Sequence, residues 1–440
     1  MKHNFTVFEN RLMGEKYYFM KHKSGLDIYI FPKKLSSSYA VFATRYGAID
    51  NKFKLSGEDG FTEVPDGIAH FLEHKMFENE DGVDTFERFA QTGASANAFT
   101  SNAQTAYLYS CTENFYDSFK ILLDYVTHPY FTPENVEKEQ GIIAQEIRMY
   151  EDSPDNRMYY GLMEALYEKN PMRINIAGTV ESISHITSDI LYKCYNTFYD
   201  LSNMTVAVSG ELDPDMVMDV ADEMLANITD SGKVIVREYE SDGAAVYKTR
   251  SEAKLQVARP IFEIGVKDTA ISDDPRARVK KQETMNILNE ILFSRSGRFY
   301  NELYEEGLIS PNLGYGFFHS QYASFNIISG ESDVPEQIFD RFCRYIEDMK
   351  RDGVDKKAFE RCKRVSYANC VCAYDNTSSI AHQIIDSAFD DFNLFDMPEI
   401  ISSIGFDDVC AMLHSIFKSE CYAMSVVYPL DDAASNEKGE

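Results

Sequence analysis

The order of structural signals in this chain recurs, and that recurrence constrains the fold more than any single motif does. In the first half, the strand formers at 28–31 and 39–44 are read as a strand pair. A helix over 67–77 follows, then a short helix from Asp84 to Gly93 with Asp84 and Glu87 spaced as a capping pair. A long strand at 94–100 and its partner at 105–110 lead into helices at 115–127, 133–150, 158–167 and 184–198. A strand at 204–209 and a helix at 214–226 close the half. In the second half a strand at 257–266 leads to a helix at 280–293, and a strand at 322–329 precedes a helix at 335–350. The helix at 356–373 stands where 133–150 stood, and the pair 406–417 and 422–427 repeats 184–198 and 204–209. The chain is therefore expected to hold two copies of one α+β unit of roughly 200 residues, each a mainly antiparallel sheet with helices on one face. The expected boundaries are 1–229, a polar linker at 230–254, 255–430, and a frayed polar tail at 431–440.

Composition narrows the class. With 440 residues, 44% hydrophobic and 26% charged, the chain can bury the cores of two or more domains. Its apolar runs, such as 39–43, fall far short of the roughly 20 residues that span a bilayer. The first five residues contain no apolar h-region, so no secretory signal is expected. The 8 cysteines are scattered with no Cys-x-x-Cys, which fits reduced thiols in a cytoplasm better than a disulfide scaffold or zinc knuckle. The net charge of −28 removes nucleic acid and anionic membranes from the expected partners. Solubility alone accounts for that charge; any steering by it would favour basic peptides.

The stretch Gly67 to Phe77 carries the chemistry. On a helix at about 100° per residue, His70, Glu73 and His74 share one face, while Ile68, Leu72 and Met76 take the other. Two imidazoles one turn apart can hold a transition metal, and the carboxylate beside them can take a proton from water. His-x-x-Glu-His is the inverzincin order. The plain alternative is two surface histidines placed by chance. The second copy has no histidine between Glu283 and Leu292, so one metal site per chain is expected.

A catalytic zinc usually has three protein ligands, and the glutamate-rich helix at 133–150 is the natural source of the third. With Glu139 at 0°, Glu146 lies at about −20°, Tyr150 at about 20°, Ile143 at about 40° and Ile142 at about −60°. Glu134, Glu137, Arg148 and Glu151 fall on the opposite side. A carboxylate in a buried stripe is costly unless it is paired or bound to metal, so Glu139 and Glu146 stand out. Pairing with an Arg or Lys from another element is the alternative reading.

Here the chain resembles the pitrilysin (M16) family of zinc metallopeptidases. The stretch Val136 to Pro154 resembles the segment that carries the family's third ligand, and His70 to His74 its zinc helix. The strand Gly93 to Thr100, with Thr105 to Tyr107, is similar to its substrate-binding edge strand, and Asn170 to Glu181 to a further landmark. The duplicated length resembles the short branch of two mitochondrial-processing-peptidase-like domains, closest to bacterial members that work in pairs. The resemblance implies one zinc per chain on His70, His74 and Glu146, with Glu73 as general base. It further implies Glu139 as an orienting carboxylate, and Asn97, Ala98, Phe99 and Thr100 as substrate contacts. The interval from His74 to Glu146 is shorter than the family's, which brings Glu151 into view, but its polar-face phase favours Glu146.

One departure has consequences. Family members usually carry an Arg, and a Tyr about two turns later, that grip the substrate. The comparable stretch here has Tyr304 in the place of the Arg, and Ser310 and Pro311 where the Tyr should stand. The expectation is a zinc endopeptidase acting on extended peptides and completed by a related partner subunit that supplies the pair. A homodimer, or substitution by Arg298 or Tyr315, is the alternative. The rival function is a peptide-binding or chaperone subunit with little catalysis; a hydrolase of small amides is a third, disfavoured by the long edge strand.

Overall fold

The computed structural model describes residues 2–430, so the expected tail at 431–440 lies outside the described residues. The chain forms two compact units, each gathered from three segments. Unit 1 comprises the residues up to Ile147, Ile174–Tyr239 and Asn369–Pro398; unit 2 comprises Arg148–Arg173, Glu240–Ala368 and the residues from Glu399 onward.

Unit 1 contains β1 (Thr6–Asn10), β2 (Glu15–Lys21), β3 (Asp27–Pro32), β4 (Ser38–Thr44), β5 (Lys52–Leu55), β6 (Thr62–Glu63), β7 (Ser95–Thr100), β8 (Thr105–Cys111), β9 (Met204–Gly210) and β10 (Ile235–Arg237). Seven of these form one sheet in the order β1-β2-β3-β9-β4-β8-β7, and β10-β5-β6 form a small second sheet. Unit 2 contains β11 (Arg250–Leu255), β12 (Ile261–Asp268), β13 (Gly314–His319), β14 (Ser324–Glu331) and β15 (Tyr422–Pro429), in the order β11-β15-β12-β14-β13.

The two orders superpose strand for strand. In each sheet the first strand of the shared five runs parallel to its neighbour (β3 with β9, β11 with β15), and the other three pairings are antiparallel. The sheets are thus mainly antiparallel, as expected for a duplicated α+β chain. Unit 1 adds the β1–β2 hairpin at its far edge.

Three local expectations are corrected. The strands at 28–31 and 39–44 exist but do not pair, because β9, from late in the half, inserts between them. The stretch 230–254, expected as a polar linker, also supplies β10 to unit 1 and the start of β11 to unit 2. The helix expected over 184–198 begins only at Ser188, behind the N-cap Thr187, and a separate short helix, Val180–Ile183, capped by Thr179, precedes it.

One helix in each unit comes from the other half of the sequence. Pro154–Leu166 packs on β11, β12 and β15, and Thr377–Phe389 packs on β3, β4 and β9. The second presents Ile380, Ala381, Ile384 and Ile385, all buried, to Phe31, Val41, Ala43 and Ala207. Residues of opposite parity, such as Ile30, Ala40 and Phe42, are equally buried, so each central strand is apolar on both faces. No helix among the described residues is long and apolar enough to cross a membrane.

Candidate metal centre

The motif forms the helix Ile68–Lys75. Its start is set by Gly67, whose φ of 89° lies in the left-handed region; a Cβ there would fall 2.4 Å from the Ala177 carbonyl oxygen. Gly178 makes the reciprocal approach, a Cβ on it falling 2.4 Å from the Asp66 carbonyl oxygen, while the Ser182 hydroxyl donates to that oxygen. Only glycines allow this contact between backbones, and it clamps the mouth of the helix. Ile68, Leu72 and Met76 are buried behind it, as the periodicity predicts. Two of the three residues of the ionisable face are buried too, His70 at 9% exposed and Glu73 at 8%, while His74 is half-buried.

The helix Pro133–Glu151 brings the carboxylates. Val136, Glu139, Ile143 and Ile147 are buried along one stripe. Ile142, placed in that stripe by its phase, is 46% exposed instead, because about 60° off the centre already reaches the helix margin. Lys75, fully buried, ties the two helices together: its ammonium donates to the Asn135 carbonyl and pairs with Glu78 at 2.7 Å. The sequence reading missed this lysine, which interrupts no pattern and announces itself only by position.

His70, His74 and Glu146 converge so that one ligand atom from each lies within 4.8 Å of the others. His70 Nε2 is 3.7 Å from Glu146 Oε1, and His74 Nε2 is 3.5 Å from Glu146 Oε2. Two imidazoles and a carboxylate at these separations suit zinc, since tetrahedral bonds of about 2.0–2.2 Å place neighbouring ligand atoms about 3.3–3.6 Å apart. Glu151, the competing candidate, is exposed at the helix end and does not join the cluster. Glu139 Oε1 lies 3.0 Å from His74 Nδ1, so the carboxylate accepts from that nitrogen and leaves Nε2 turned to Glu146.

The electrostatics follow from burial and crowding. Burial, then the neighbouring His74, holds His70 well below the usual imidazole range. His74 is raised: burial opposes its charge, but the Glu139 hydrogen bond and the Glu146 and Glu73 carboxylates outweigh it. Glu139 is lowered because the His74 bond and the Lys75 charge overcome its own burial. Burial pushes Glu73 upward, against the Thr100 hydroxyl, which donates to its Oε2 at 2.6 Å.

Thr100 ends β7, the edge of the sheet, which among the described residues pairs only with β8. Ala98 shares its face of the strand, while Asn97 and Phe99 point the other way. Phe99 packs toward His382, with ring centroids 5.8 Å apart, and the Asn97 side chain accepts from the Ala98 N–H at 2.9 Å. Of the four residues expected to contact substrate, Thr100 is thus the one brought to the histidine cluster. In unit 2 the candidate substitutes for the Arg/Tyr pair are engaged locally. Arg298 lies 3.6 Å from Asp348 and stacks over Tyr345, Tyr315 donates to Glu290 at 2.6 Å, and Tyr304 stacks on Tyr300.

The chain belongs to peptidase family M16. Residues 61–180 match the family described as Insulinase (Peptidase family M16), and residues 185–366 match the Peptidase M16 inactive domain. It is 39% identical to the uncharacterized zinc protease YmfH of Bacillus subtilis (strain 168), over 96% of this chain and 98% of that protein. A second B. subtilis protein, the uncharacterized zinc protease YmxG, is 23% identical over 83% of this chain and 90% of its own length. Among solved structures, a putative M16-like peptidase from Alicyclobacillus acidocaldarius superposes with a TM-score of 0.90 at 31% identity, covering 98% of this chain and 100% of that one.

Proposed function

We propose that the chain is a zinc metalloendopeptidase that hydrolyses peptides or unfolded segments held as an added strand on the open edge of β7, in a reducing, cytoplasmic setting. The observation that carries this reading is the meeting of His70, His74 and Glu146 with Glu73, which is itself hydrogen-bonded to the edge strand through Thr100. Zinc bound by the three ligands would supply Lewis acidity toward the scissile carbonyl and make an adjacent water a stronger acid. Glu73, one turn along the same helix, accepts the proton of that water and returns it to the leaving amine. Glu139 fixes the ring of His74, and the outward N–H and C=O groups of β7 align an extended substrate by strand addition.

A related partner subunit completes the site in this reading. Arg298 and Tyr315, the residues that could replace the missing pair, already hold Asp348 and Glu290. The same observation favours a second reading, a peptide-binding subunit of low activity within a heterodimer. Incubating the purified chain with a mixed peptide library, with and without chelator and with and without a co-encoded relative, separates the two. Chelator-sensitive cleavage that rises with the relative supports the enzyme. Binding without cleavage in every arm supports the second reading.

A further inference from the structure

We propose that unit 1 carries a second divalent-cation site, formed by His3, Asp219 and Asp222. The helix Pro214–Met224 places Asp215, Asp219 and Asp222 on one face, at intervals of four and three residues. The N-terminal segment lies across that face. Asp215 Oδ1 accepts from the backbone N–H groups of Lys2 and His3 at 2.8 and 3.0 Å, which fixes the chain where the His3 ring enters. His3 Nε2 is 3.0 Å from Asp219 Oδ1 and Nδ1 is 3.9 Å from Asp222 Oδ2, and one ligand atom from each of the three residues lies within 4.8 Å of the others.

A second histidine shows that Asp222 is oriented and not merely exposed. His22 has a side chain only 1% exposed, and its Nε2 lies 3.1 Å from Asp222 Oδ1. Its tautomer follows from geometry. The backbone N–H of Ser24 donates to His22 Nδ1 at 3.2 Å, and a backbone N–H can only donate. Nδ1 therefore carries the lone pair, Nε2 carries the proton, and Asp222 Oδ1 accepts it. The buried ring holds one carboxylate oxygen and leaves the other turned to His3, the arrangement by which outer groups aim a metal ligand.

Charge points the same way. Among the described residues, the permanent cation paired with Asp219 is Lys2, whose ammonium is 2.6 Å from Asp219 Oδ1, and no Lys or Arg ion pair is made by Asp222. The Lys2 side chain is 68% exposed and can swing into water, whereas His3, at 11%, stays. One imidazole with two carboxylates and no thiolate suits a first-row divalent cation such as Zn²⁺ or Mn²⁺. The cation would staple the N-terminal segment to the helix, independently of any peptidase activity.

The test uses the full chain and zinc alone. Titration of wild type should give about two equivalents and of H70A/H74A about one, because the motif ligands are gone from the latter. Adding H3A or D222N to H70A/H74A should weaken the remaining site at least about 10-fold, and K2A should tighten it up to about 5-fold by removing the competing ammonium. Circular dichroism confirms that each variant is folded; K2A, on an exposed side chain, needs no buried group and keeps the test decisive if H3A misbehaves. Failure of H70A/H74A to bind saturably, or binding indifferent to H3A, D222N and K2A, overturns the site. Peptide cleavage by H3A and D222N equal to wild type is expected, and loss of cleavage by H70A/H74A alone speaks only to the peptidase reading.

Discussion

Glu139 offers a direct measure of how the cluster is held. Its carboxylate is 7% exposed and accepts from His74 Nδ1 at 3.0 Å, with the buried Lys75 charge nearby. A charge-assisted bond of this kind contributes about 1.5–3 kcal/mol. Only its effect on presenting His74 Nε2 enters metal affinity, for which loss of such a partner costs about 10–100-fold, or 1.4–2.8 kcal/mol. Glu139→Gln keeps the shape and an acceptor oxygen but loses the charge, so zinc affinity should fall about 10-fold. Glu139→Ala also strands the Nδ1–H in a buried position and should fall toward 100-fold. Competition against a chromogenic chelator reads both, with thermal denaturation as a control for folding. A Glu139→Ala chain that holds zinc within about two-fold of wild type would refute the orienting role and return Glu139 to a plain buried ion pair.

Glu73→Gln should keep zinc and lose turnover by at least about 100-fold, the contribution of a positioned general base; retained cleavage removes Glu73 from the chemistry. Thr100→Val should lower kcat by about 10-fold with zinc affinity unchanged, whereas Thr100→Ser, which keeps the donor, should restore it. Gly67→Ala forces a side chain into a left-handed backbone and against Ala177, so unit 1 should lose more than about 2 kcal/mol in denaturant unfolding. Glu263, 8% exposed with Oε2 lacking a hydrogen-bond partner, is pushed up from 4.5 to about 7 by burial and then by Asp155. The folded chain thus holds this proton more tightly than the unfolded one, and stability is lost as pH rises from about 4.5 to 7, by up to about 3 kcal/mol. Glu263→Gln should remove that slope, giving a gain over wild type at pH 8 that vanishes at pH 4.5; a gain independent of pH would refute the assignment.

The helix phases of the site were legible in the sequence because both carrying helices are regular. His70, Glu73 and His74 share a face at offsets of three and four, and Glu139 and Glu146 differ by seven residues, nearly two full turns. The duplication was legible for the same reason, in the order of elements. What escaped were features set by distant chain. β9 separates β3 from β4 although it lies some 160 residues later, and no local pattern announces that insertion. The helix Thr377–Phe389 carries three buried isoleucines, Ile380, Ile384 and Ile385, which gain meaning only against the sheet that they cover. Lys75 was invisible because a lysine beside a motif looks like solvent-facing charge until Asn135 and Glu78 are placed against it.

The duplicated frame leaves each copy with an edge strand, and the helices that meet the two strands differ. β7 and β13 hold the same position in their sheets, and each is met by a helix, Ile68–Lys75 on β7 and Pro275–Phe293 on β13. On β13 the helix reaches the strand with Gln282, whose amide donates to the Phe317 carbonyl at 2.8 Å. On β7 it reaches with Glu73, an acceptor, which takes the Thr100 hydroxyl and can satisfy no main-chain carbonyl. One carbonyl of β13 is thus met by a side chain of its helix, while the helix on β7 presents an acceptor to the strand. Two half-buried carboxylates diverge in parallel. Glu283, on the second helix, accepts from Ser366 at 2.9 Å and Asn286 at 3.2 Å, so neutral donors from the protein settle it. Glu146, half-buried, has its two oxygens 3.7 and 3.5 Å from the Nε2 atoms of His70 and His74. A carboxylate drawn toward the interior has to meet polar groups there, and in the two halves of this chain those groups differ: neutral donors around Glu283, imidazole nitrogens beside Glu146.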